Sequence, residues 1–284
     1  MYLAFLYKFA DRPGTPDKYR LALWTRWQIK DMEMAIHNPK IDVRKIALEI
    51  AWLYTRRGGK TRGLTIIAVF FSLIGYQVAW RAPHGEQLKK AGFWFNANPF
   101  VQAVMIKSTN IIRVYNSLNI SIAPMTAGRV AGGDCDVLIY DEGGWIYKHL
   151  KAYEFFLASR PMVSNSEFKH VINASTPARD TAFQDEWDEI EKLEIEYDTK
   201  LTAEHDADDC PWITPEFIES ESKKYPKWYI EMNYFCKWTV PYGAVFEKII
   251  LVGSADQKEH YPQFDAQFLY KVKADRCGVD HNGG

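Results

Sequence analysis

Short apolar runs alternate with amphipathic stretches along the chain as far as residue 174. Runs of about four to eight apolar residues that end in glycine, proline or charged residues are typical of buried strands. Such runs occur at 46–53, 77–80, 111–115, 120–123, 137–140 and 171–174. Helical periodicity lies between several of them, at 61–73, 86–95 and 148–159. This alternation predicts an α/β fold with a mainly parallel sheet and helices on both faces.

The pattern changes after Pro177. The stretch 185–196 is dense in acidic residues, 214–223 resembles a capped helix, and 226–238 is aromatic with helical spacing. We therefore expect a smaller helical subdomain beside the sheet, with the aromatic side chains in its core. The predicted divisions of the chain are 1–40 (an N-terminal segment), 41–180 (the core), 181–245 (the helical subdomain), 246–274 (a connector) and 275–284 (the start of a further domain).

Two apolar stretches could be mistaken for membrane or export signals. The stretch 1–9 is short and lacks a small-residue cleavage site, so we expect no signal peptide and no secretion. The stretch 64–80 is longer, but polar residues and Gly75 interrupt it. It is better explained by a buried helix to about residue 73, a turn at Gly75 and a buried strand through residue 80. No membrane span is predicted.

Composition narrows the possible functions. The chain of 284 residues is long enough for one large α/β domain with or without an appendage. Charged residues make up 25% and nearly cancel, to a net charge of −1, so any surface for nucleic acid must be a local patch. The four cysteines are far apart, which favours free thiols in a reducing cytoplasm over a disulfide frame or a zinc site.

The segment between Tyr54 and Thr61 has the composition of a phosphate-binding loop. An apolar run breaks there into a polar stretch that contains Gly58, Gly59 and Lys60, and a second apolar segment follows. The amides of such a turn, together with the positive end of the next helix dipole, favour an anion. We expect Lys60 to reach the outer phosphates and Thr61 to bind Mg²⁺. The usual pattern has a glycine where this chain has Tyr54, so the motif is incomplete.

A second motif supports a nucleotide site. The strand-like run 137–140 ends in Asp141 and Glu142, which Gly143 and Gly144 follow. In a sheet covered by helices, such a strand delivers its last residues to the carboxyl edge, where ligands bind. We expect Asp141 to hold the water shell of Mg²⁺ and Glu142 to orient and deprotonate the attacking water. The two motifs together predict a nucleotide hydrolase.

The order of these motifs resembles that of the ATPase domain of large terminase subunits, the motors that package viral double-stranded DNA. The resemblance runs from about residue 27 to residue 280. Terminases share a phosphate loop that lacks the first glycine and has a basic residue early in the loop, and 55–61 is similar to that variant. The resemblance implies a P-loop NTPase fold of the ASCE type with a small helical lid, and ATP with Mg²⁺ as ligands.

The resemblance also implies roles for residues around the nucleotide. Trp27 and Gln28 resemble the adenine-recognition element, in which an amide reads the base edge and an aromatic ring supplies apolar contact. Arg56 is expected near the γ-phosphate. Arg129 is similar in position to the arginine that stabilises transition-state charge, in a ring commonly on the neighbouring subunit's nucleotide. Arg57 is the competing candidate for this arginine finger, so the assignment stays open.

Two later segments extend the resemblance. The stretch 173–177 is similar to the coupling motif of terminases, in which the hydroxyls of Ser175 and Thr176 would sense the γ-phosphate. The stretch 275–284 resembles the first strand of an RNase H-like nuclease domain, with Asp280 as its first metal-binding carboxylate. Two-metal cleavage needs further carboxylates, so we expect no nuclease activity from this chain.

The partners implied by the resemblance are double-stranded DNA, the portal protein and the small terminase subunit. A homo-oligomeric ring, pentameric on the capsid, would act in the host cytoplasm and transiently on the procapsid portal. One alternative is a superfamily-2-type helicase or other nucleic-acid ATPase, because Arg81, Ala82 and Pro83, followed by Gln87, are compatible with both classes. The other is a non-hydrolysing binding protein with a degenerate nucleotide fold.

Overall fold

The computed structural model describes residues 26–97, 105–107, 111–114, 119–124, 133–146, 159–178 and 182–239. The strands are β1 (Leu48–Tyr54), β2 (Val78–Ala82), β3 (Met105–Lys107), β4 (Ile111–Val114), β5 (Asn119–Pro124), β6 (Val137–Asp141), β7 (His170–Ser175) and β8 (Thr202–His205). The helices are α1 (Arg26–Ile36), α2 (Lys60–Ile74), α3 (Gly85–Ala97), α4 (Gly143–Ile146), α5 (Ala182–Tyr197), α6 (Pro215–Ser222) and α7 (Lys227–Tyr234), with a 3₁₀ helix at Arg160–Val163.

The strands form one sheet in the order β3–β4–β5–β2–β6–β7–β1–β8. The strands from β5 to β8 in this order are all parallel, whereas β4 pairs antiparallel with β5 and β3 antiparallel with β4. The predicted mainly parallel sheet is therefore confirmed. Because β7 lies between β1 and β6, the phosphate-loop strand and the acidic strand are separated by one strand, as expected for an ASCE-type P-loop NTPase.

Helices cover both faces of the sheet. Successive side chains of β1 point to opposite faces, so their contacts identify the elements that cover each face. On one face the Tyr54 hydroxyl donates to Asp31 of α1. On the other face Glu49 accepts a hydrogen bond of 2.8 Å from Arg160. Arg160 also donates to Glu186 of α5 at 3.0 Å, so this face lies against the 3₁₀ helix and α5. A sheet that is buried on both sides explains why its central strands are continuous apolar runs.

The apolar stretch after the phosphate loop divides as predicted. Helix α2 ends at Ile74, and Gly75 follows with φ 117°, a left-handed conformation that few residues other than glycine adopt. Strand β2 then begins at Val78 and is buried throughout. None of the described helices is long and apolar enough to cross a membrane.

The predicted helical subdomain, 181–245, includes elements that pack on the main sheet. Helix α5 packs on β1 and β8, and β8 pairs with β1 as the edge strand of the main sheet. Strand β8 was not predicted, because Thr202–His205 is too short and polar for an apolar run. The subdomain has its own small core, formed by Ala207, Cys210, Ile213, Ile230 and Tyr234.

The other predicted elements have mixed outcomes. The stretches 214–223 and 226–238 contain α6 and α7, and Thr214 caps α6 through a hydrogen bond from the backbone N–H of Phe217. Strand β3 and helix α1 were not predicted. The predicted helix at 148–159 and the segments 246–274 and 275–284 lie almost entirely or entirely outside the described residues.

Candidate functional site

A cavity of about 1230 Å³ opens where β1, β2, β6 and β7 end at their carboxyl edge. Its lining includes the loop before α2, the start of α3, the turn after β6 and the residue after β7, together with residues of α1, of α7 and of the loop before α6. The basic residues that line it are Arg56, Arg57, Lys60, Arg62 and Lys90, and the acidic ones are Glu86 and Glu142. This excess of positive charge suits an anionic ligand.

The loop from Thr55 to Lys60 turns tightly around its two glycines. The backbone N–H of Gly58 donates to Thr55 O at 2.9 Å, and a Cβ on Gly58 would lie 3.0 Å from the same oxygen. Gly59 has φ 91° and is the N-cap of α2. Arg57 also has a positive φ, of 71°, which is unusual for a residue with a side chain. The two glycines therefore allow the loop to turn tightly and leave its backbone unobstructed by side chains, as a phosphate-binding loop requires.

Lys60 is buried at the first position of α2, with 5% of its side chain exposed. Its Nζ donates to Tyr54 O at 3.1 Å and to Thr55 O at 3.5 Å, and it lies 3.5 Å from Glu142 Oε1. The cation is thus held inside the loop by carbonyl oxygens and one carboxylate. A phosphate in the cavity would supply a stronger partner for this cation than the two carbonyls.

Thr61 and Asp141 meet on neighbouring elements. The Thr61 hydroxyl lies 3.1 Å from both carboxylate oxygens of Asp141. Asp141 is fully buried, and burial together with the adjacent charge of Glu142 raises its pKa to about 7. Hydrogen bonds from Gln87 and Thr61 and the charge of Lys60 act in the opposite direction. A hydroxyl and a carboxylate that converge in this way are the oxygen ligands that Mg²⁺ prefers, so the residues fit the predicted metal.

Glu142 follows Asp141 in a strained conformation with φ 62°. Its backbone N–H donates to Ala174 O at 2.7 Å, and its Oε2 accepts a hydrogen bond of 3.3 Å from the backbone N–H of Thr176. Non-glycine residues held in this region cost on the order of 1–3 kcal/mol and cluster at functional sites. The strain directs the carboxylate of Glu142 into the cavity, where 23% of the side chain is exposed.

The two hydroxyls of the predicted coupling motif contact the segment that follows Glu142. Ser175 Oγ accepts a hydrogen bond of 3.1 Å from the backbone N–H of Gly144, and Thr176 Oγ1 accepts one of 3.0 Å from the indole of Trp145. Thr176 lines the cavity, whereas Ser175 is fully buried. Two hydrogen bonds therefore join the end of β7 to α4, directly after the catalytic candidate Glu142.

The two residues of the predicted adenine element are placed differently. Gln28 lines the cavity, and its Nε2 donates to Gly58 O at 3.1 Å. The ring of Trp27 stacks on His205, with centroids 3.9 Å apart, and its Nε1 donates to Asp209 O at 3.1 Å. Trp27 is thus directed towards β8 and away from the lining. The aromatic side chains that line the cavity are Trp94, Trp145, Trp212 and Tyr229.

Both arginines of the loop contact the helical subdomain. Arg56 donates to the Tyr229 hydroxyl of α7, and the guanidinium of Arg57 lies 4.5 Å from the ring centroid of Phe217 of α6. The indole of Trp212 donates to Arg57 O at 3.0 Å. The other two predicted site residues, Arg129 and Asp280, lie outside the described residues.

Gln87 and Trp212 are among the residues of this site that were not predicted from the sequence. Gln87 Nε2 lies 3.0 Å from Asp141 Oδ2, although the sequence indicated Gln87 only as part of a polar motif after β2. Trp212 contacts a loop residue 155 positions away in the chain. No local pattern carries such a contact, because it depends on how the subdomain folds back over the loop.

Solved structures with a similar fold are large terminases of bacteriophages. The large terminase of bacteriophage HK97 has a TM-score of 0.60 and 17% identity, over 82% of this chain and 53% of that one. The ATPase domain of the large terminase from Thermus phage P74-26 has a TM-score of 0.54 and 16% identity, over 76% of this chain and all (100%) of that domain. This chain has the fold of a large-terminase ATPase domain.

The large terminase of a thermophilic bacteriophage has the same fold, with a TM-score of 0.54 and 14% identity, over 76% of this chain and 53% of that one. The chain thus spans about half (53%) of the length of this terminase and of the HK97 terminase. No protein-family model and no curated protein sequence matches it. The terminase-type fold is therefore established by the three-dimensional likeness, and it confirms the resemblance found from the order of the motifs.

Proposed function

We propose that this chain is the ATP-hydrolysing motor domain of a viral large terminase and drives double-stranded DNA into a procapsid. The observation that carries the proposal is the convergence of the two sequence motifs on one cavity. Thr61 lies 3.1 Å from Asp141, and Lys60 lies 3.5 Å from Glu142. The fold supports it, and the terminase of the thermophilic bacteriophage has been crystallised with ADP and with ATP-gamma-S.

The residues of the loop before α2 and at the end of β6 have proposed roles in binding phosphate and Mg²⁺. The amides around Gly58 and Gly59 and the Lys60 ammonium would bind the phosphates, and Thr61 and Asp141 would hold Mg²⁺. Bound Mg²⁺ would neutralise the charge that develops during phosphoryl transfer. Arg56 lies in the same lining and is proposed to contact the γ-phosphate from within the subunit.

Glu142 is the proposed general base. Its Oε2 accepts the hydrogen bond from Thr176, so Oε1 is the oxygen that would take the proton of the attacking water. In the structure Oε1 faces Lys60 at 3.5 Å. If Lys60 contacts a phosphate oxygen instead, Oε1 of Glu142 becomes available to the attacking water. Proton transfer by a positioned carboxylate contributes about 10²–10⁴-fold to a rate.

Substitution at the two motifs tests ATP hydrolysis. Phosphate release should fall at least about 100-fold in Lys60→Ala and in Glu142→Gln, measured on the assembled motor with DNA. Matched controls are Lys192→Ala and Glu189→Gln on α5, where both side chains are exposed and pair only at the surface, 2.6 Å apart. Unchanged phosphate release in both motif variants would show that the roles proposed for Lys60 and Glu142 are wrong, whereas no phosphate release from the wild type itself would favour a non-hydrolysing binding protein.

Arg129 is proposed to act on the neighbouring subunit's nucleotide, which makes the ring necessary for activity. Arg129→Ala and Lys60→Ala should each be inactive alone, and a mixture should recover phosphate release because intact pairs form between subunits. Arg56→Ala mixed with Lys60→Ala is expected to recover less, since Arg56 acts on the same site as Lys60. If Arg57→Ala complements and Arg129→Ala does not, Arg57 is the arginine finger.

The remaining assignments concern partners. We propose that the motor binds the portal protein and the small terminase subunit, forms a pentameric ring on the capsid, and works in the host cytoplasm at the procapsid portal. Asp280 is proposed to be the first metal-binding carboxylate of a nuclease domain. Translocation along an unbroken duplex would support the motor, whereas unwinding of a forked substrate would favour the helicase.

A further inference from the structure

The amide of Gln87 touches both proposed metal ligands. Its Nε2 lies 3.0 Å from Asp141 Oδ2 and 3.3 Å from Thr61 Oγ1. The carboxylate of Asp141 is fully buried and has only acceptor oxygens when ionised, so the amide group must present its N–H side. Gln87 and Thr61 are thus two side-chain donors that the buried carboxylate shares.

The position of Gln87 follows from the sheet. Strands β2 and β6 are neighbours, with Arg81 opposite Tyr140, so the chain that leaves β2 passes beside Asp141. Helix α3 begins at Gly85, and the N–H of Gln87 donates to His84 O at 3.1 Å in its first turn. The side chain of Gln87 therefore starts from a fixed helical backbone, which suits a residue that holds another in place.

The polar motif after β2 is compatible with both terminases and helicases, and its arginine is buried. Arg81 has 3% of its surface exposed and donates to Trp80 O at 3.0 Å and to Ser121 O at 3.1 Å. Its guanidinium is held within the fold on the face of the 3₁₀ helix. The motif thus contributes one buried structural side chain, Arg81, and one side chain at the metal site, Gln87.

We propose that Gln87 is a positioning residue that orients the carboxylate of Asp141 for Mg²⁺. This inference rests on the proposed function, because it assigns a partner to the metal ligand of the same site. A buried carboxylate that is free to rotate would present its oxygens to the metal only part of the time. Hydrogen-bonded partners of metal ligands fix that orientation, and their loss typically costs about 10–100-fold in metal affinity.

The test compares metal binding with nucleotide binding. Gln87→Met keeps the length of the side chain and removes the donor, and Gln87→Leu is a second donor-free variant if the first does not fold. Gln77→Met is the matched control, since Gln77 is exposed just before β2. Mn²⁺ affinity is measured by electron paramagnetic resonance on the ADP complex, and ADP affinity is measured separately in EDTA.

Mn²⁺ affinity should fall about 10–100-fold in the Gln87 variant, with ADP affinity in EDTA unchanged and the Gln77 variant like wild type. Equal Mn²⁺ affinity in the Gln87 and wild-type proteins would overturn the inference. An equal fall in ADP affinity in EDTA would also overturn it, because Gln87 would then support the whole pocket. If wild type itself binds no ADP, the failure lies with the proposed function.

Discussion

The backbone N–H of Thr176 donates a hydrogen bond of 3.3 Å to Glu142 Oε2, so the residue that follows β7 directly contacts the candidate general base. The contact follows from the pairing of β6 with β7, in which Asp141 lies opposite Ala174. A backbone donor holds the carboxylate whatever side chain occupies position 176. Movement at the end of β7 would therefore move the carboxylate of Glu142 as well.

Ser175→Ala should lower both stability and activity. The substitution removes the acceptor of the Gly144 N–H at 3.1 Å, in a place where both residues are buried. A buried donor left without an acceptor costs about 1–3 kcal/mol. Chemical denaturation and phosphate release measure the two effects. Ser222→Ala is the control, because that hydroxyl is exposed on α6. Equal stability of the two variants would contradict the expected role of Ser175.

Gly143→Ala should destabilise the protein, whereas Gly92→Ala should not. A Cβ at Gly143 would overlap Asn173 Oδ1, so the buried Asn173 side chain, whose Nδ2 donates to Glu186 at 2.6 Å, must move, and overpacking of this kind costs about 1–3 kcal/mol. A Cβ at Gly92 would meet nothing within 4 Å, and an alanine within a helix is favoured by about 0.5–1 kcal/mol. Thermal unfolding of both variants tests the difference. A Gly143→Ala protein as stable as wild type would show that Asn173 moves at little cost.

His205 should make the stability of the protein depend on pH. Its ring nitrogens each lie 3.0 Å from a carboxylate, those of Asp31 and Asp209, and Trp27 stacks on the ring. Burial alone would lower the pKa of His205, but its hydrogen bonds and charge interactions with Asp31 and Asp209 outweigh burial and raise the pKa. The folded state therefore binds the proton more tightly than the unfolded state.

The stabilisation from His205 should be complete below its ordinary pKa of 6.5 and should disappear as the pH rises through the raised folded-state pKa. The melting temperature of wild type should accordingly fall towards that of His205→Gln as the pH is raised from below 6.5. His37→Gln, at an exposed position, is the control. A difference in melting temperature between wild type and His205→Gln that is constant with pH would rule out this titration.

Three cysteines should resist modification in the native protein. Cys135, Cys210 and Cys236 are buried free thiols. Burial raises the pKa of Cys135 and of Cys210 to about 12 and also raises that of Cys236. Because the thiolate is the reactive form, iodoacetamide at about pH 8 should label them only after unfolding. Peptide mapping by mass spectrometry gives the labelled positions, and rapid native labelling at any of the three would show local opening.

The sequence alone located most of the sheet and the two candidate motifs of the site. The apolar runs at 46–53, 137–140 and 171–174 became central strands because a strand buried on both faces must be apolar along its whole length. The phosphate loop was recognisable because its glycines and lysine are neighbours in the chain. The short polar strand β8 was not predicted, because it has neither an apolar run nor a recognisable motif.

The chain sequence by itself determined which residues are suited to phosphate, metal and proton transfer, and the order in which they occur. Only the tertiary structure decided which of them meet. In the folded chain Trp27 stacks on His205, Gln87 lies 3.0 Å from Asp141, and the backbone of Thr176 contacts Glu142. The physical reason is that these contacts join separate elements. Their distances depend on strand order and on how the connecting chain folds back, which no local pattern of apolar and polar residues contains.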